Sequence, residues 1–255
     1  MNDFLEALRF LTILPLPPAK TQKPDALARA MLFFPLVGFS IASVSLGIYV
    51  LVSGYLPEKL GILLLLALPI LLSGGLHADG FADFCDGFFG GKDKAQILRI
   101  MKDSRIGTFG VVGLVLLLLT KMELLQALPS KAIPYLIALT ASRWMQVALS
   151  FYLPSAREQA DLTPLHGTPS GGGLVEAVAR KVGRLELLGA SGFLFAVMLL
   201  LVPGMGPLLF AGLVGLLLAL AVFYKKKLGG ITGDMLGAAS EMTEVVVLLV
   251  MIYAR

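Results

Sequence analysis

Asp79, Asp83 and Asp86 stand in the segment HADGFADFCDG at i, i+4 and i+7, a spacing that a helix of 3.6 residues per turn gathers on one face. Three carboxylates so placed repel one another unless a cation lies among them. Hard oxygen donors of this kind suit Mg²⁺ or Mn²⁺, which keeps several waters and shares its shell with substrate phosphates. A solvated acidic face capping a membrane helix would show the same spacing, but Phe81, Phe84, Phe88 and Phe89 argue for a segment packed at the membrane. A second acidic set, Asp234, Glu241 and Glu244, recurs at i, i+7 and i+10 in GGITGDMLGAASEMTE. Carboxylates that enter a membrane helix are costly and are functional by default; the plainer alternative is an interfacial cluster neutralised by Lys225, Lys226 and Lys227. If both sets lie on one side of the membrane, they can make one metal and phosphate site.

The basic and neutral partners for such a site are fewer. Lys102, Ser104 and Arg105 lead into Gly107, and a lysine point charge beside an arginine fork can hold phosphate oxygens. Anchoring of a helix end at a membrane surface accounts for the same bases equally well. Arg143, next to Trp144 in the middle of an apolar run, must pair with a carboxylate or a substrate phosphate. His77 and His166 are potential proton acceptors, though a lone histidine is more often structural. Cys85 falls off the acidic face and reads as a packing residue, with no CxxC or Cys/His cluster to suggest zinc. Ser170-Gly171-Gly172-Gly173 lacks the Lys and Ser/Thr of a phosphate loop and reads as a hinge or lid.

What must position these residues follows from composition. Of 255 residues 57% are hydrophobic and 15% charged, with a net charge of +4 and a mean hydropathy of +0.85; a soluble domain carries about 25% charged residues. From Leu187 to Tyr224 no side chain is charged, so an ordinary soluble fold is excluded. Windows near the roughly 20 residues needed to span hydrocarbon lie at Ala30 to Pro57, Leu60 to Leu76, Ile106 to Leu128, Ile133 to Leu153 and Met235 to Ala254. The 187 to 224 run breaks at Pro203-Gly204-Met205-Gly206-Pro207 into a hairpin of two more. The expectation is an all-α polytopic membrane bundle of about seven transmembrane helices. An amphipathic interfacial helix within residues 1–18 precedes it, and nothing reads as strand or as a cleaved signal.

The chain is expected to be one membrane domain over 1–255, with an acidic catalytic loop or helix at 77–106, an inner loop at 154–186 and the second acidic motif at 229–244. With the N-terminus inside, most of the 21 Lys and Arg fall on the inner connections, leaving Lys59, Lys131 and Arg255 outside. Both acidic motifs are then on the inner side. The expected location is a prokaryotic inner membrane, multi-pass, with the site facing the cytoplasm.

In order along the chain, RFLTILPLP, HADGFADFCDG, IMKDSRIGTFG and GGITGDMLGAASEMTE resemble the cobalamin synthase family of adenosylcobinamide-GDP ribazoletransferases. The departures, Ala78, Phe81 and Phe84-Cys85, touch packing and leave the acids in place. The resemblance implies a Mg²⁺-dependent transferase that joins adenosylcobinamide-GDP to α-ribazole or its 5′-phosphate and releases GMP. It implies metal ligands among Asp79, Asp83, Asp86, Asp234, Glu241 and Glu244. Proton transfer falls to Asp83, Asp86, Glu241 or His77, and phosphate binding to Lys102, Ser104, Arg105 and Arg143. Its partners would be those two substrates and membrane lipid, without nucleic acid, and a homo-oligomer or other cobalamin-assembly enzymes are compatible with it. Two alternatives stay open: a CDP-alcohol-phosphotransferase-like enzyme, whose DGxxAR pattern is missing here, and an ion-coupled transporter using Asp234, Glu241 and Arg143.

Overall fold

The computed structural model describes residues 2–17, 24–157 and 181–253; His166 and Ser170 to Gly173 lie outside the described residues, as does most of the 154–186 loop. Among the described residues the chain is helical, with one isolated bridge between Ser155 and Ile231 in place of any strand. The helices are α1 (Asn2–Leu11), α2 (Pro24–Ala30), α3 (Phe34–Val52), α4 (Glu58–Leu72), α5 (Leu76–Gly90) and α6 (Lys94–Ile100). They are followed by α7 (Thr108–Ala127), α8 (Ala132–Tyr152), α9 (Arg184–Leu201), α10 (Gly206–Leu228) and α11 (Gly233–Tyr253).

Among the described residues, five helices are long and apolar enough to cross a membrane: α3 with α2 (Ala26–Val52), α7, α9, α10 and α11. The pair α4 and α5 makes a sixth, bent by 90°. Helix α8 has the length, 21 residues, but carries Thr140, Ser142, Arg143 and Gln146, all buried. That inversion has a physical reason. Helix α8 packs between α3 and α11 at the centre of the bundle, shielded from lipid, whereas Val115 and Leu116 of α7, Leu200 of α9 and Leu208 of α10 face outward and exposed. Exposed aliphatic faces around a polar centre are the pattern of a multi-pass membrane protein.

Helix α1 ends at Leu11, short of the proline cluster, and buries Ala7 and Leu11. Phe4 meets Phe33 edge-on, and Phe10 stacks on Phe34 at 5.7 Å, so this amphipathic helix rests on the bundle. The sharp corner between α4 and α5 is made by Gly74 and Gly75, with φ of 63° and 77°, a left-handed conformation costly for any residue with a Cβ. The corner turns α5 off the line of α4, and its acidic face runs across the end of the bundle.

Candidate active site

Helix α5 is held on two sides by glycine contacts. Against α11, a Cβ on Gly80 would lie 3.0 Å from Asp234 Cα and O, and one on Gly237 would lie 3.2 Å from His77 O. The backbones therefore cross at Gly80 and Gly237, which brings Asp79 and Asp83 beside Asp234. Against α7, the Asp86 carboxylate accepts hydrogen bonds from Gly107 N–H at 2.7 Å and Gly110 N–H at 2.8 Å. A Cβ on either glycine would come within 2.4 Å of that carboxylate. Asp86 thus caps a helix that has no capping side chain of its own, and negative charge there also meets the positive end of the helix dipole.

The three aspartates of α5 share a face but not an environment: Asp79 is exposed, Asp83 half-buried and Asp86 buried with both oxygens engaged. The Asp83 carboxylate faces those of Asp234, Asp79 and Asp86, with the Arg157 guanidinium also within reach of its charge. Asp79 and Asp234 line a cleft together with His77, Gln146 and apolar side chains of α1, α3 and α11. His77 is buried and shares the cleft lining with Gln146; its Nδ1 has no hydrogen-bond partner among the described residues.

Glu241 and Glu244 lie elsewhere. Two helical turns down α11, both are buried and both accept from the Lys121 ammonium of α7, Glu244 at 2.6 Å. Arg143 completes a quartet, donating to Ser240 at 2.6 Å and Ser142 at 2.9 Å, with Glu244 at 3.4 Å. The structure therefore divides the second acidic motif, bringing Asp234 to the α5 acids and sending the two glutamates into the bundle. Their cations are Lys121 and Arg143, while Lys225, Lys226 and Lys227 are exposed at the end of α10. His77 lines both the cleft and the cavity above the quartet.

The expected phosphate-binding residues are likewise dispersed. Lys102 and Ser104 are exposed. Arg105 is turned onto Asp103, at 3.1 and 2.8 Å, and its hydrogen bonds hold that carboxyl down at about 2. Arg143 is engaged in the quartet. Two residues were missed by motif reading. Lys121 carried a usable signal, since a lysine deep in an apolar helix needs an intramembrane acid. Arg157 carried none; it reaches Asp234 at 3.4 Å only because a distant backbone contact puts it there.

Among the described residues no three His, Cys, Asp or Glu side chains gather closely enough to cage a metal unaided. The hard oxygens of Asp79, Asp83 and Asp234 fit the other mode, in which one or two carboxylates share Mg²⁺ with water and substrate phosphate.

The profile of the cobalamin-5-phosphate synthase family matches residues 3–252. A protein named adenosylcobinamide-GDP ribazoletransferase from Chlorobium phaeobacteroides is 38% identical, over 97% of this chain and 96% of its own. Proteins of the same name from Geotalea daltonii, at 35% over 98% and 96%, and Clostridium botulinum, at 32% over 99% and 98%, are similar in the same way. No solved structure matches the chain. These likenesses favour the transferase reading over the transporter and the CDP-alcohol phosphotransferase.

Proposed function

Because the chain belongs to the cobalamin-5-phosphate synthase family, we propose that it joins adenosylcobinamide-GDP to α-ribazole or its 5′-phosphate and releases GMP, the last joining step of cobalamin assembly. The observation that carries the chemistry is the meeting of Asp79 and Asp83 with Asp234 at the α5–α11 crossing, beside a cleft walled by His77. One or two of the Asp79, Asp83 and Asp234 carboxylates would hold Mg²⁺ together with the substrate's phosphates, and the ion would neutralise charge on the diphosphate and on the departing phosphate.

The protein's own groups then have three tasks. The cleft orients the ribazole hydroxyl in line with the bond to be broken. A new O–P bond forms at the cobinamide-side phosphorus as the bond to the bridging oxygen breaks, and GMP departs with that electron pair. The hydroxyl proton goes to the imidazole of His77, which lines the cleft. Asp86 is assigned no chemical step, since both its oxygens seat α7; Glu241 and Glu244 are assigned none because Lys121 and Arg143 engage them.

The same proposal sets the cleft at the cytoplasmic face of a prokaryotic inner membrane, supported by the bases Lys92, Lys94, Arg99 and Lys102 that follow α5. The test is GMP release at saturating Mg²⁺ by Asp83→Asn and Asp234→Asn. Each is expected to lose about 10²-fold or more, the scale of removing one electrostatic contact to a transition state. Turnover near that of the parent protein would overturn the reading.

A further inference from the structure

The chain leaves α8 at Tyr152 and is caught at once by the start of α11. Ala156 N–H donates to Ile231 O at 2.9 Å and Ile231 N–H to Pro154 O at 2.8 Å, forming the parallel bridge between Ser155 and Ile231. Gly230 permits the approach, since a Cβ there would lie 2.3 Å from Pro154 O. Ser155 and Ala156 are buried, so the backbone that presents Arg157 is pinned by paired polar groups. From it the guanidinium meets Asp234 at 3.4 Å.

The other bases near the cleft are differently employed. Arg105 pairs with Asp103 in the open, its side chain 86% exposed, and Arg143 is bound inside the bundle. Arg157, with a side chain 19% exposed, sits on the acid cluster itself, where its charge acts on Asp83 as well as Asp234. A planar fork of donors on a fixed backbone, beside carboxylates suited to a divalent cation, is the arrangement that recognises phosphate.

We propose that Arg157 is the phosphate-binding residue of this cleft: it rests on Asp234 until a cation neutralises that carboxylate, and then grips the diphosphate of the GDP-linked substrate. The inference rests on the phosphoryl-transfer reading of the α5–α11 crossing. It makes the cation and Arg157 competitors for Asp234, so the cation and the diphosphate each favour binding of the other.

Arg157→Ala, Arg157→Gln and Arg157→Lys are compared with the parent protein as full chains in detergent, with Mn²⁺ binding followed by its paramagnetic resonance and GDP binding measured by calorimetry at saturating Mg²⁺. Removal of the guanidinium is expected to tighten Mn²⁺ about threefold, the worth of a partly exposed pair. It is expected to weaken GDP about tenfold or more, the worth of a charged hydrogen bond, with Arg157→Lys recovering part of that loss. Arg157→Gln serves if the alanine variant does not fold. A brace that merely held Asp234 in place would weaken both ligands together, and that result overturns the proposal, as does unchanged GDP binding. Asp83→Asn and Asp234→Asn separate the two claims. If both keep the parent affinity for Mn²⁺, the cleft reading falls and Arg157 with it; if both lose Mn²⁺ while Arg157→Ala binds GDP normally, the Arg157 proposal falls alone.

Discussion

Replacing Lys121 by Met removes the cation shared by Glu241 and Glu244. In the quartet two positive charges, Lys121 and Arg143, balance two negative ones, with side chains 7%, 2%, 9% and 9% exposed. The substitution leaves one uncompensated negative charge among groups that water scarcely reaches. Breaking a buried ion pair from one side costs about 3–5 kcal/mol. At about 2–4 °C per kcal/mol for a chain of this size, that is a fall of about 6–20 °C in the unfolding midpoint. Glu241→Gln alone leaves the opposite imbalance, with Lys121 and Arg143 facing Glu244, and is expected to cost a similar amount. The double variant Lys121→Met/Glu241→Gln restores neutrality through Arg143 and Glu244, so its midpoint should lie well above that expected from the sum. The assay is thermal unfolding of the three variants in one detergent, read as a double-mutant cycle. Simple additivity, or a Lys121→Met protein as stable as its parent, would refute the quartet as the structural tie between α7, α8 and α11.

Two further outcomes follow from the geometry. Gly80→Ala puts a methyl 3.0 Å from the Asp234 backbone, and GMP release should fall about tenfold or more in a folded protein as the α5–α11 crossing opens; normal activity would contradict the close approach. Asp86→Asn weakens the cap on α7 and should cost about 1–2 kcal/mol, seen as a lower unfolding midpoint with unchanged half-saturation by Mg²⁺; a large shift in that half-saturation would make Asp86 a ligand instead.

The helices were legible because apolar runs of membrane length have few other resolutions. The expected spans differ from α4, α7, α8 and α11 by a few residues at each end. Helix α8 was legible from length while its polar residues hid its central position, because hydropathy reports exposure to lipid and α8 has little. Within the site, spacing placed Asp79, Asp83 and Asp86 on one face but could not tell a cap from a ligand, since that depends on Gly107 and Gly110, more than twenty residues away. Periodicity also joined Asp234 to Glu241 and Glu244 along one helix. It could not show that the membrane depth of α11 gives its first turn to the cleft and its next two to the interior. The pairings of Lys121 and Arg157 are tertiary facts, one set by the packing of α7 on α11 and the other by a backbone bridge across the end of the bundle.

The central claim is that the cation and the phosphates are handled where α5 crosses α11. A structure of the protein with Mn²⁺ and the GDP-linked substrate, with the metal located by its anomalous scattering, tests it most directly. The metal is expected at about 2.0–2.2 Å from carboxylate oxygens of Asp83 or Asp234, with the diphosphate beside it; a metal bound to Glu241 and Glu244 between Lys121 and Arg143 would contradict that placement.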